Sequence, residues 1–76
     1  MAVILVLVSG EQRRVEHADG ARLDPPFFLV TRRQRTGEVE TVLTLRGDQV
    51  VAAEVLENGV RTDYVLGLGQ PSKGKA

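Results

Sequence analysis

The sequence has no cysteine, no tryptophan and a single histidine, His17. Without thiols the chain cannot form a disulfide or a thiolate metal site, and one histidine excludes a histidine-rich site. We therefore expect no metal and no cofactor. A chain of 76 residues has room for one domain, and at this length folding buries only roughly 60 % of the surface. Good internal packing or association with a partner must then supply the stability.

An excess of charge of either sign is also missing, because ten basic side chains balance ten acidic ones. A neutral chain has no general attraction to polyanions such as nucleic acid. The charges are nevertheless unevenly distributed. Residues 1–35 carry six arginines and four acidic residues, whereas residues 36–68 carry two arginines and six acidic residues. An electrically polar fold of this kind can stack on copies of itself or bind RNA.

Long hydrophobic runs are absent as well. The longest, Ala2 to Val8, is far shorter than the roughly 20 residues of a membrane-spanning helix. It also lacks the basic start, the longer apolar stretch and the cleavage site of a secretory signal. The expectation is a cytoplasmic protein without membrane association.

The same run is rich in Val, Ile and Leu and ends at a Ser-Gly turn, which predicts a β-strand that is apolar on both faces. Such a strand is usually central in its sheet and covered on both sides. In so small a protein the second cover would be the far wall of a barrel or a second subunit. The residues that we expect at a homo-oligomer interface along this strand are Val3, Ile4, Leu5, Val6 and Leu7.

Turn signals recur at intervals of roughly ten residues along the chain, a spacing typical of all-β proteins. They are Ser9-Gly10, Ala18-Asp19-Gly20, Asp24-Pro25-Pro26, Thr36-Gly37, Gly47-Asp48 and Asn58-Gly59. The pattern predicts a small antiparallel meander of five to six strands over residues 1–68, rolled or closed into a barrel-like sheet. The small, polar and basic segment 69–76 is predicted to be a disordered tail.

One segment, residues 48–57, is compatible with two structures. Asp48 is suited to cap a short helix that ends at Gly59 as its C-terminal glycine. Two successive valines and the Asn-Gly pair, the strongest hairpin signal in the chain, favour a strand instead. We expect the strand and keep the helix as the alternative.

Three arginines, Arg32, Arg33 and Arg35, precede the Thr-Gly turn. If that turn is a two-residue loop, Arg35 lies opposite Glu38 and Arg33 opposite Glu40. If it is a type I turn with a bulged glycine, Arg32 lies opposite Glu40. Either register pairs opposite charges across the hairpin, which contributes roughly 0.2–1 kcal/mol for each pair. The two-residue register also predicts one apolar face formed by Phe28, Val30, Val39, Leu43 and Leu45.

The alternative interpretation is a surface that binds RNA or single-stranded DNA, formed by Arg13, Arg14, Arg32, Arg33 and Arg35 with the lysines of the tail. A charge-paired hairpin is favoured over it, because a phosphate-binding face leaves its arginines unpaired and shows a basic excess.

The segment LVTRRQRTGEVETVLTLRGDQV resembles the carbon storage regulator family of small RNA-binding β proteins. The shared features are an apolar strand, Thr-Arg-Arg, Gly-Glu and a later Gly-polar-Gln-Val turn. The resemblance implies RNA contacts at Arg32 and Arg33. It covers about a third of the chain, lies in its middle with shorter spacing, and has no counterpart of the family's C-terminal helix. The sequence therefore does not assign the chain to that family.

No motif in the sequence indicates catalysis. His17 has carboxylates close by in sequence but no nucleophile, and GQPSKGK lacks the Ser or Thr and the helix that a phosphate-binding loop requires. The expected function is a non-enzymatic β interaction or assembly module that forms homo-oligomers. The alternative is a small β protein that binds nucleic acid through an arginine-rich face.

Overall fold

A computed structural model describes residues 1–70, which form seven β-strands and no α-helix. The strands are β1 (Ala2–Leu7), β2 (Gln12–Glu16), β3 (Gly20–Asp24), β4 (Phe27–Arg33), β5 (Val39–Arg46), β6 (Val50–Glu57) and β7 (Val60–Leu66). A single 3-10 turn, Gly47–Gln49, joins β5 to β6. The all-β prediction is confirmed, and the strand is confirmed over the helix for residues 50–57. Most of the predicted disordered tail, residues 71–76, lies outside the described residues.

The strands form two antiparallel sheets, a four-stranded sheet in the order β2-β1-β6-β7 and a three-stranded sheet in the order β3-β4-β5. The two sheets do not close into a barrel. Four pairs of neighbours in sequence form hairpins, β1–β2, β3–β4, β4–β5 and β6–β7. The turns at Ala18-Asp19-Gly20 and Gly47-Asp48 instead carry the chain from one sheet to the other, and β1 pairs with β6 far along the chain. This pairing makes β1 a central strand with a neighbour on each side, and it replaces the single continuous meander of five to six strands.

The core lies between the inner faces of the two sheets. Val3 and Leu5 of β1, with Val55 of β6, pack towards Phe28 and Val30 of β4. Four of these side chains have no exposed surface and Val55 retains only 4 %. Full burial of a side chain of this type contributes roughly 1.5–3 kcal/mol, so this cluster is the main source of stability.

The β4–β5 hairpin adopts the bulged register of the two that the sequence allowed. Arg32 lies opposite Glu40, and a bulge follows Val30. The turn is closed by the N–H of Gly37, which donates to the carbonyl of Gln34 at 2.9 Å, and Gly37 has φ +93°. The two-residue register is wrong, and so is its apolar face at Val39, which is 55 % exposed beyond the end of the core.

The β6–β7 hairpin turns at Asn58-Gly59, as predicted. Both residues have positive φ, 53° for Asn58 and 80° for Gly59, which is the requirement of a type I′ turn. The twist of such a turn matches the twist of its strands. It therefore holds β7 along β6 and sets which β7 side chains face outward.

Candidate interaction surface

The four-stranded sheet has an outer face that no other strand of residues 1–70 covers. Side chains alternate along each strand except at two bulges, one in the β1–β6 pairing and one between Arg61 and Asp63 on β7. The neighbours of the core residues Val3, Leu5, Ala53 and Val55 therefore point away from the core. Its apolar members are Ala2, Ile4, Val6, Ala52, Leu56, Tyr64 and Leu66, and its polar members are Gln12, Arg14, Glu16, Glu54 and Arg61. These twelve residues are called the outer face below.

The apolar part of the outer face runs across three strands. Leu66 is 62 % exposed and Tyr64 is 49 % exposed, while Ile4, Val6 and Leu56 are half-buried. A cavity of about 190 Å³ opens beside it, lined in part by Met1 and Leu56. Glu54 lies between Ile4 and Tyr64 within this group. Exposed apolar side chains grouped on one sheet face are typical of a binding surface.

Two pairs of oppositely charged side chains lie on the outer face with these apolar residues. Arg14 pairs with Glu16 along β2, and Arg61 pairs with Glu54 across β6 and β7 at 3.3 Å. The Arg61 guanidinium also lies 5.2 Å from the centre of the Tyr64 ring. The hydrogen bond from Arg14 lowers the pKa of the Glu16 carboxyl below its ordinary value. At neutral pH, Arg14 and Glu16 therefore place opposite charges on the β2 edge of the outer face, and Arg61 and Glu54 place opposite charges on β7 and the neighbouring β6.

The residues predicted at an oligomer interface are divided between two faces. Val3 and Leu5 have no exposed surface and belong to the core, and Leu7 packs partly against that core. Ile4 and Val6 belong to the outer face. Of the five residues expected at an interface, only Ile4 and Val6 are therefore placed where a partner could contact them, because a strand presents successive side chains to opposite sides.

Sequence reasoning missed the contributions of β6 and β7 to the outer face. Leu56 and Ala52 point outward while Ala53 and Val55 point inward. The signal was present, since VVAAEVLE has apolar residues at both odd and even positions, as β1 does. Leu66 offered no comparable signal, because its place on this face depends on the register of the Asn-Gly hairpin.

The five candidate nucleic-acid-binding arginines lie on different sheets. Arg13 and Arg14 are on β2, and Arg13 lies opposite Leu5 while Arg14 lies opposite Ile4, on the other side of the sheet. The remaining arginines belong to β4 and the turn that follows it, in the three-stranded sheet. The structure therefore does not gather the five on one continuous sheet face.

At the β4–β5 hairpin, hydrogen bonds and an ion pair engage two of the three arginines. Arg32 pairs with Glu40 at 3.1 Å, and the hydrogen bond lowers the pKa of the Glu40 carboxyl. The guanidinium of Arg33 donates to the carbonyl of Gly37 at 3.3 Å. Its backbone N–H donates to the Asp19 carboxylate at 3.1 Å. The interpretation of this segment as a charge-paired hairpin is confirmed for Arg32.

The outer side of the three-stranded sheet is more polar. Thr31, Thr41 and Thr44 lie at its centre, and Arg22 and Arg46 lie towards its edges. Its apolar side chains include Phe27, which is 48 % exposed, Leu29, which follows it on the same side of β4, and Val39 near the hairpin turn, which is 55 % exposed.

No known protein family, no curated protein and no solved structure matches this chain. The resemblance to the carbon storage regulator family therefore gains no support from these comparisons. Within residues 1–70, no three histidine, aspartate or glutamate side chains are grouped so that they could hold a metal ion. The same residues include no helix with the length and apolarity needed to cross a membrane.

Proposed function

We propose that this protein is a non-enzymatic interaction and assembly module that buries its outer face against a protein partner, and that it forms homo-oligomers. The observation that carries the proposal is the apolar strip across β1, β6 and β7. Leu66 and Tyr64, both about half exposed or more, continue that strip to the edge of the sheet.

The composition of the two central strands supports this proposal. Both β1 and β6 have apolar residues on both sides, a pattern typical of strands covered on both faces. The three-stranded sheet covers only the inner side. Removing apolar surface from water contributes roughly 25 cal/mol per Å², so covering the outer side gives a direct driving force for association.

Two carboxylates, those of Glu16 and Glu40, are suited to a structural role rather than to acid–base catalysis. A general acid or base works best with a pKa near the working pH. The pKa values of Glu16 and Glu40 are shifted the other way, below their ordinary values, by hydrogen bonds from arginine. These carboxylates are suited to ion pairs, and the proposal includes no catalytic step.

Solution mass tests the proposal, with two lysine substitutions on β7 as a matched pair. Leu66 is 62 % exposed on the outer face, and Val60 is 64 % exposed near the turn, away from it. We expect the wild-type chain to be an oligomer at tens of micromolar, Leu66→Lys to shift towards monomer, and Val60→Lys to behave as wild type. A wild-type chain that is strictly monomeric at this concentration, at low and high salt, would contradict the proposal.

A second candidate function is the binding of RNA or single-stranded DNA, with cytoplasmic residence as the accompanying prediction. It is favoured by Arg13, Arg33 and Arg35, which form no ion pair within residues 1–70. The test is a titration with single-stranded RNA at several salt concentrations, since each phosphate contact to a single strand contributes about −0.7 to the log–log salt slope. Absence of binding at low salt would remove this candidate.

A further inference from the structure

We propose that the partner is a second copy of this chain, packed face to face on the outer face, with a two-fold axis parallel to the strands and midway between β1 and β6. The inference rests on the proposed function and adds to it that the homo-oligomer forms through the outer face, in a defined orientation of the two copies. Its basis is that this orientation sets Glu16 opposite Arg61 and each small alanine of the central strands opposite a larger aliphatic side chain of the second copy.

The register of the four strands arranges the outer face in three rows. A two-fold axis parallel to the strands leaves each row on its own row, while it exchanges β2 with β7 and β1 with β6. In an isologous dimer of this kind, every contact occurs twice. Packed sheets lie about 10 Å apart with their strands crossing at about −30°, so the central strands overlay most closely.

The first row consists of Glu16, Ala2, Leu56 and Arg61. The rotation brings Glu16 opposite Arg61 of the second copy, which pairs opposite charges. It also brings the small Ala2, which is 1 % exposed, opposite Leu56 of the second copy. A large side chain facing a small one is the arrangement that lets two sheets interdigitate.

The third row repeats the match of large and small side chains on the two central strands with the sizes exchanged, and at its ends Gln12 lies opposite Leu66 of the second copy. It contains Val6 on β1 and Ala52 on β6, the latter only 1 % exposed. The rotation sets Val6 opposite Ala52 of the second copy. On β1 the small residue is Ala2 and the larger one is Val6, whereas on β6 the larger residue is Leu56 and the small one is Ala52. In the dimer each alanine therefore faces a larger aliphatic side chain of the second copy.

The middle row consists of Arg14, Ile4, Glu54 and Tyr64. The rotation sets the Arg14 guanidinium opposite the Tyr64 ring of the second copy, and aromatic faces attract such cations. Tyr64 already accepts this kind of contact from Arg61 within the chain. Ile4 faces Glu54 of the second copy, whose carboxylate is held by Arg61 at 3.3 Å.

The other in-plane two-fold axis, perpendicular to the strands, is disfavoured by charge. It would set the middle row on itself with each strand on its own counterpart. Arg14 would then face Arg14, and Glu54 would face Glu54. Like charges opposed across an interface cost several kcal/mol. The charges therefore select the axis parallel to the strands.

A pair of charge reversals tests this arrangement in the full chain. Glu16→Arg sets arginine opposite Arg61 in a dimer of identical copies, and Arg61→Glu sets glutamate opposite Glu16. We expect each variant alone to dissociate at least about tenfold more readily than wild type. An equimolar mixture restores two opposite-charge contacts, so we expect a heterodimer with the wild-type mass, detected by sedimentation velocity with one variant labelled.

Both reversals change exposed side chains, 57 % for Glu16 and 56 % for Arg61, and circular dichroism confirms that each variant keeps its fold. Arg46→Glu, a reversal at a 73 % exposed site on the three-stranded sheet, is the control that leaves association unchanged. If the wild type is an oligomer and the single reversals match it, the inference is overturned and the proposed function stands. If the mixture stays dissociated, the orientation is overturned. If the wild type is a strict monomer, both fail.

Discussion

The two sheets of this small protein differ in the composition of their outer sides. In the three-stranded sheet, Phe28 and Val30 of β4 face the core, while Phe27, Leu29 and Thr31 face outward, so the outer side mixes apolar and polar side chains. In the four-stranded sheet, β1 is apolar on both sides, and β6 carries Glu54 between Ala52 and Leu56 on its outer side. Alternation marks a sheet with one face in water, whereas its absence marks a sheet that requires a second cover. The outer side of β1 is wholly apolar, whereas that of β4 continues into Thr31 and Arg33, so the four-stranded sheet has the more apolar outer side at its centre.

The largest expected effect comes from the inner side of the four-stranded sheet, where both faces of β1 can be compared. Leu5→Ala removes a fully buried core side chain, and we expect it to lower the free energy of unfolding by about 2–5 kcal/mol. Ile4→Ala, one residue along the strand, changes the outer face and should cost clearly less in the monomer. Urea denaturation at a fixed protein concentration measures both. Equal losses would show that the outer face is as tightly packed as the core.

The second prediction compares how a charge on the outer side of each sheet changes the dissociation constant of the oligomer. Leu56→Lys introduces a charge in the apolar strip, and we expect it to raise the dissociation constant of the oligomer by about 10- to 100-fold, the cost of burying an unpaired charge at an interface. Thr44→Lys introduces the same charge in the three-stranded sheet and should leave association unchanged. Sedimentation equilibrium gives both constants. If Thr44→Lys raised the dissociation constant as much as Leu56→Lys, the assignment of the interface to the four-stranded sheet would be wrong.

Local sequence patterns predicted the strands and most turns correctly but not the pairing of β1 with β6. Asn58-Gly59 and the bulged Thr-Gly turn carry their geometry in the types of their residues, because both need positive φ. The β1–β6 pairing joins strands that are separated by most of the chain, and no short-range signal specifies it. Ile4 could be proposed as an interface residue from the pattern of its own strand. Leu66 could be proposed only once the sheet order was known, because its place on the outer face depends on that order.

We expect a smaller loss of stability from substitutions in the hairpin turns, one in each sheet. Gly59→Ala in the four-stranded sheet and Gly37→Ala in the three-stranded sheet each force a Cβ into a positive-φ position, at 80° and 93°. Neither new Cβ would meet another atom within 4 Å, so the cost is conformational, about 1–2 kcal/mol for each. Chemical denaturation measures it. A loss well above this range at Gly59 alone would indicate that the turn takes part in the interface.

The smallest expected effect is a change in the pKa of one carboxyl group on each sheet. The pKa values of Glu16 and Glu40 are both lowered, mainly by hydrogen bonds from Arg14 and Arg32. Because each folded-state pKa lies below the unfolded-state value, the stabilising contribution is present above the unfolded pKa and is lost as pH falls through the folded one. Arg32→Ala should raise the pKa of Glu40 towards its ordinary value and leave Glu16 unchanged.

Arg14→Ala is the reciprocal control, since it should raise the pKa of Glu16 alone. Carboxyl resonances followed by NMR across acidic pH read out both groups in the same sample. Glu16 belongs to the outer face, whereas Glu40 belongs to the β4–β5 hairpin. Dilution of the wild type to monomer should therefore move the pKa of Glu16 upward, as it loses Arg61 of the second copy, and leave that of Glu40 in place. Equal behaviour of the two carboxyls on dilution would mean that association does not distinguish the two sheets.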